Sequence, residues 1–195
     1  MSDELLVIDT SKAISQNEVI EPLPLYGEGF EMLYKSIPEY TDVLPNPLMN
    51  KLVQRLKLTM KLYAGIGLSA NQCGVYQRVF VIGHEDYQLV CINPKVTHVS
   101  EQIEKSNEGC LSYPGLFVKI ERPLAINVEF TTETGENKQL KLEGLTARCF
   151  MHELEHMNGQ SFIQHVKPVA LSIAKEKQKK RIKKVTRAQK NGIRI

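Results

Sequence analysis

Residues 145–159, LTARCFMHELEHMNG, restrict the fold more than any other segment of this 195-residue chain. Thr146 reads as an N-cap and Gly159 as the residue just past a helix end. Between them His152 and His156 recur four apart, so their rings stand on one face of the helix. Leu145, Cys149, Phe150, Leu154 and Met157 make that helix apolar on several sides, which predicts burial, and buried imidazoles need partners. Other elements must therefore wrap around it. Two imidazoles so placed can converge on one metal ion. Glu153, beside them but poorly placed to ligate, can hydrogen-bond a metal-bound water as a general base. By itself the HELEH pattern also describes two histidines that are solvated or satisfied by ordinary hydrogen bonds.

The rest of the chain supplies the wrapping. Asn46 caps an earlier helix with Pro47 at its first position, and Met49, Leu52, Val53, Leu56, Met60 and Tyr63 recur as its buried stripe. In AGIGLSANQCGV (64–75) two glycines flank Ile66, giving a loop or short edge strand open to close backbone approach. RVFVIG (78–83) and QLVCIN (88–93) are β-rich runs about a polar turn, and LAINVEF (124–130) and KQLKLEG (138–144) flank TTETGEN as a hairpin. A last amphipathic helix starts near Lys167 or Pro168 and is expected to pack through Val169, Ala170 and Ile173. The fold class is α+β: antiparallel or mixed sheets around a central HELEH-bearing helix, with a C-terminal helix. Residues 1–45, with Pro22, Pro24, Pro38 and Pro45, read as an extended N-terminal arm, 46–174 as the body and 175–195 as a basic C-terminal helix or tail.

Apolar residues are 42% of the chain, enough for one packed core, yet no run is long enough to cross a membrane. The opening MSDELLVIDT has neither a signal nor a transit composition, so a soluble, cytoplasmic protein is expected. Cys73, Cys91, Cys110 and Cys149 are dispersed with no CxxC pair, which fits reduced thiols, three of them small buried hydrophobes. From Lys175 onward ten Lys/Arg face one Glu, a local +9, which leaves −6 on residues 1–174. That tail is either a solvated extension or a footprint for RNA phosphates.

The third ligand decides what HELEH does. In metzincin proteases HExxH continues xxGxxH, but here Phe162 stands where the last histidine would be. Thermolysin-like proteases place a glutamate downstream, and the one carboxylate side chain after Glu155 is Glu176, inside the basic run. Upstream lie GIGLSANQ (65–72) and EGCLS (108–112). With HELEHMNG these give, in order, the three motifs of the peptide deformylases, which the chain resembles from about Asn46 to the basic helix.

The resemblance implies that Cys110, His152 and His156 hold one divalent metal, with the fourth position left to water. Fe(II) is implied first, with Zn(II), Ni(II) or Co(II) also able to occupy the site. The implied reaction is hydrolytic removal of the formyl group from N-formylmethionine on nascent polypeptides. Glu153 would be base and then acid, and the Gln72 side chain with the Leu111 N–H would form the oxyanion hole. Gly65, Ile66 and Gly67 would pair with the peptide as an added strand, and Ile66, Leu145 and Cys149 would line an apolar methionine pocket. Ordinary core packing is the other reading of those pocket residues.

Ser69, Asn71, Met151 and Glu155 depart from the usual family residues, the last being one methylene longer than the common aspartate. Arg148 and Tyr113–Pro114–Gly115 resemble the organellar and related bacterial branch; Arg148 either lines the pocket mouth or is solvated. Glu108 and Arg122 are expected near each other, paired or as surface charge. His84, His98 and His165 are expected at the surface or in hydrogen bonds. In the family the C-terminal helix is associated with the ribosome, which makes rRNA the candidate partner of the tail. Two other classes stand beside the deformylase: a HExxH zinc metallopeptidase, and an RNA-binding protein with a structural metal, for which only three ligands are in view.

Overall fold

The computed structural model describes residues 19–84 and 87–190; the expectations for residues 1–18 and 191–195 lie outside them. Helix α1 (Pro47–Leu62) begins as predicted, with Asn46 Oδ1 accepting from the N–H of Leu48 at 2.9 Å and, more loosely, Met49 at 3.4 Å. Met49, Val53, Leu56 and Met60 are its buried stripe. Tyr63 departs from expectation: it lies past the helix end, and 47% of it is exposed.

Seven strands follow: β1 (Gly67–Ser69), β2 (Val79–His84), β3 (Tyr87–Val99), β4 (Ile103–Cys110), β5 (Tyr113–Pro123), β6 (Ala125–Thr131) and β7 (Asn137–Glu143). Five form one antiparallel sheet in the order β1-β2-β3-β6-β7, and β4 and β5 form a separate hairpin. The unbroken apolar run of β2 has a physical reason. Val79 and Val81 face α1, while Phe80 and Ile82 face the opposite layer, so both faces are covered. Along β6, Ile126, Val128 and Phe130 alternate with less buried residues, because only one face is covered.

Helix α2 (Gly144–Met157) is that opposite layer. Phe150 is fully buried and meets Phe80 edge-on at 5.1 Å, and Ala147 and Met157 share its core cluster with Ile126, Val128, Phe130 and Leu142 of β6 and β7. Two expectations are corrected here. Thr146 does not cap α2, because the helix starts at Gly144, whose φ of 57° turns the chain straight out of β7. Leu145, expected on the buried side, is 65% exposed. The far end matches: Asn158 is the C-cap and Gly159 follows with φ 69°.

The β4–β5 hairpin packs on helix α3 (Pro168–Lys190) through Leu116, Val118 and Ile120. The α3 residues that meet it are Leu171 and Ala174, whereas Val169, Ala170 and Ile173 face solvent, against expectation. The segment PVALSIA carries two apolar stripes, and the one with the small Ala174 fits the hairpin more closely. Residues 19–46 contain a 3-10 turn, Glu31–Tyr34, and a lone β-bridge from Ser36 to Asn158, yet they place Leu23, Leu33 and Ile37 in the core at spacings too irregular to read as a period. Among the described residues no helix is long and apolar enough to cross a membrane.

Candidate active site

The two-residue turn between β4 and β5 ends one strand on Cys110, and that turn faces α2. Cys110 Sγ lies 3.2 Å from His156 Nε2. The three donor atoms of Cys110, His152 and His156 all lie within 4.8 Å of one another. His152 Nδ1 is engaged by Glu108 Oε2 at 3.2 Å, which leaves Nε2 to face the sulfur. Burial and the neighbouring His152 push the His156 ring well down in pKa. At His152 burial acts the same way, but hydrogen bonds to Cys110 and Glu108 outweigh it and push the ring up. A half-buried thiol and two buried imidazoles, their donor atoms gathered together, form a donor set suited to a divalent cation such as iron or zinc.

Glu153 leaves the same turn of α2 toward the first motif. Its Oε2 accepts from Ser69 Oγ at 2.5 Å, and burial raises its pKa against the pull of His152 and that hydrogen bond. Ser69 also fixes Gln72, whose Oε1 accepts the Ser69 N–H at 2.9 Å. The Gln72 amide then donates to Ser112 Oγ at 3.1 Å and reaches Cys110 Sγ at 3.4 Å. Gly67 lets the strand pass: a Cβ there would collide with Glu153 Oε1 and Cys149 Sγ. Asn71 ties the motif to α2 from the other side, donating to His156 O at 2.7 Å. Ser69, Asn71 and Ser112 sit inside two of the motifs, and their side-chain roles required the packing of β1 on α2.

Glu108 and Arg122 are not surface charges. They are 6% and 4% exposed, and Arg122 Nε and Nη2 donate to the two Glu108 oxygens at 2.6 and 2.9 Å. The remaining Arg122 donor positions reach Glu155 at 2.5 and 3.0 Å, and Glu155 also meets His165 Nε2 at 2.7 Å. The longer carboxylate at 155 is thus the bridge that carries this cluster out to His165. Arg148 is buried as well: it lines the cavity and donates to Glu108 Oε1 at 2.7 Å. Burial alone would raise the Glu108 carboxyl, but hydrogen bonds from His152, Arg122 and Arg148 outweigh it and hold it well below the usual carboxylate range.

Above these groups opens a cavity of about 570 Å³, with Gln72, Cys110, Leu111, His152 and Glu153 in its wall. Gly65, Ile66, Gly67, Leu145 and Cys149 also line it, so every residue expected as donor, catalytic group or substrate contact gathers here except His156, which lies behind the wall. The roles within β1 are uneven. Ile66 O accepts the Gly83 N–H at 2.8 Å and the Cys149 thiol at 3.2 Å, so it belongs to the sheet. Strand alternation then directs the Gly67 peptide groups to the open edge. Tyr63, Tyr113 and Phe117 line the cavity too, and sequence reasoning did not assign them to it. Glu176 does not line the cavity; it pairs with Lys179 on α3 at an exposed position.

The comparisons agree with the geometry. Residues 23–171 match the family model described as polypeptide deformylase. The peptide deformylase of Thermotoga maritima is 37% identical over 129 residues, covering 66% of this chain and 79% of that protein. The crystal structure of a peptide deformylase from Synechococcus elongatus in complex with actinonin superposes with a TM-score of 0.76 at 32% identity, covering 85% of this chain and 91% of that one. A peptide deformylase from Legionella pneumophila gives a TM-score of 0.77 at 28% identity, over 85% and 98% of the two chains. The match of fold and of three ordered motifs, which the structure gathers about one cavity, places this chain in the polypeptide deformylase family.

Proposed function

We propose that the protein removes the formyl group from N-formylmethionine at the start of nascent polypeptides, using Cys110, His152 and His156 to hold a divalent metal. The observation that carries this reading is the meeting of those three donors beside Glu153 and Gln72 at the wall of one cavity, with His156 just behind it. A cation held there, when bound, supplies Lewis-acid chemistry that acidifies water and polarises the formyl group. Glu153 takes a proton from the attacking water and returns it to the methionine amine. The Gln72 amide and the Leu111 N–H meet the negative charge that develops on the formyl oxygen. The peptide lies along β1 as an added strand on the Gly65–Gly67 edge, and Ile66, Leu145 and Cys149 receive the methionine side chain. Ligand chemistry fits Fe(II), Zn(II), Ni(II) and Co(II) alike; the family resemblance puts Fe(II) first, and metal analysis after anaerobic purification decides it.

We place this activity in the cytoplasm beside the ribosome, with the basic end of α3 as the contact to rRNA. The experiment is formate release from formyl-Met-Ala-Ser. Glu153→Ala should lower kcat by about 10²- to 10⁴-fold while metal content stays at the unsubstituted level, because Glu153 is not a donor to the cation. Unchanged turnover would remove Glu153 from its role. Cleavage of a peptide bond in place of the formamide would overturn the reading itself.

A further inference from the structure

The strand β5 leaves the turn after Cys110 as Tyr113–Pro114–Gly115–Leu116–Phe117, and all five residues line the cavity. Pro114 has no N–H to offer β4, and Gly115 is left-handed with φ 74°. The ladder therefore slips. Gly109 pairs with Phe117 and Cys110 with Tyr113, so residues 114–116 bulge out of the pairing.

What holds this bulge is α3. Gln178 Nε2 donates to Pro114 O at 2.9 Å, and Arg181 Nη1 donates to Gly115 O at 3.0 Å. The Arg181 guanidinium also lies over the Phe117 ring, 5.3 Å from its centroid. The ring itself packs on Gly109, where a Cβ would stand 2.7 Å from Phe117 Cε1, one residue from Cys110. Phe117 is 53% exposed, as befits the rim of a cavity whose floor is buried. The bulge thus touches the Cys110 turn on one side and the basic helix on the other.

We propose that Arg181, aided by Gln178, is a positioning residue that makes α3 part of the peptide-binding wall, holding Phe117 and the 114–117 bulge where they meet a substrate beyond its first residues. The kinetic half of this proposal rests on the deformylase reading; the contact itself does not. Without Arg181 the ring and bulge gain freedom that a long peptide must remove on binding, whereas a short one does not reach them.

Two measurements test it. With Arg181→Ala, KM for a formyl-Met pentapeptide should rise about two- to fivefold, the size of one exposed cation–π contact, with kcat unchanged and formyl-Met-Ala unaffected. Arg181→Lys keeps the cation but loses the planar fork, so it should rescue KM only in part. Equal effects on both substrates, a fall in kcat alone, or no effect would overturn the proposal. The second measurement needs no activity. The chain has no tryptophan, so Phe117→Trp creates a single tryptophan emitter, excited selectively at wavelengths the seven tyrosines do not absorb. Adding Arg181→Ala to it should raise acrylamide quenching of that emitter, and unchanged quenching would refute the clamp. Absence of formate release from the unsubstituted protein would sink the deformylase reading, while the quenching result would still decide whether α3 holds the wall.

Discussion

Cys110 shares its chain with three other thiols, and burial separates their chemistry. Removal from water pushes the Cys91 and Cys149 thiols well up, and burial with the Glu153 charge takes Cys73 up to about 12. At pH 8 all three are neutral. Cys73 and Cys91 are also enclosed, and Cys149, at the cavity wall, keeps its thiol on Ile66 O, so all three react slowly with alkylating agents. Cys110 is only partly buried, at the cavity floor. Iodoacetamide should therefore modify Cys110 alone once the protein is stripped with a chelator, and should spare it when zinc or iron is restored. Peptide mass mapping reads this. Equal labelling of Cys110 with and without metal would remove it from the ligand set. The same scale explains why the candidate donors were legible. Cys110, His152 and His156 each sit in a motif whose residue types carry the chemistry, whereas Ser69 is a small residue in a glycine-rich loop, and only the fold brings it to Glu153.

At the scale of elements, the site depends on how the β4–β5 hairpin is fastened to α2. One arginine does most of it: Arg122, on β5, binds Glu108 on β4 and Glu155 on α2, with 4%, 5% and 14% of these side chains exposed. Removing Arg122 leaves Glu108 with Arg148 as its one arginine and strips Glu155 of its own, so buried carboxylate charge goes under-compensated. Arg122→Ala should thus cost about 3–5 kcal/mol in urea unfolding. Lys105→Ala, which breaks an exposed pair with Glu121, should leave the midpoint in place. A loss at Arg122 below about 1 kcal/mol, the range of solvated pairs, would show that water supports this cluster. The hairpin is also what sequence reading did not find. β2, β3, β6 and β7 announce themselves by apolar runs or alternation, and α1 by its Asn46–Pro47 start. β4, IEKSNEGC, is mostly exposed and offers no stripe. In β5 the inward positions 116, 118, 120 and 122 do alternate, but the last is Arg122, a charge in a core position. Period-2 reasoning rejects that residue unless its partners are known. In α3 the failure was one of choice between two stripes, which only the shape of the hairpin resolves.

For the whole molecule, charge is the organising asymmetry: a net +9 from Lys175 onward against −6 on the preceding residues. An acidic body gains nothing from RNA phosphates, so any attraction has to come through α3 and to weaken steeply with salt. The inner face of the helix is committed to the fold, because Leu171 and Ala174 are in the core and Gln178 and Arg181 bind the bulge. Cutting the chain after Ala174 would therefore confuse loss of binding with damage to the cavity wall. Lys180, Lys183, Lys184 and Arg187 are exposed and separable. Replacing these four with glutamine should weaken co-sedimentation with ribosomes at low salt. It should also flatten the dependence of log affinity on log salt by roughly 0.7–0.9 per charge removed. Formate release from a free dipeptide should stay unchanged, since none of the four lines the cavity. Binding that persists with the same salt slope would mean that the basic helix is solvated surface, and that the enzyme meets its nascent substrates by diffusion alone.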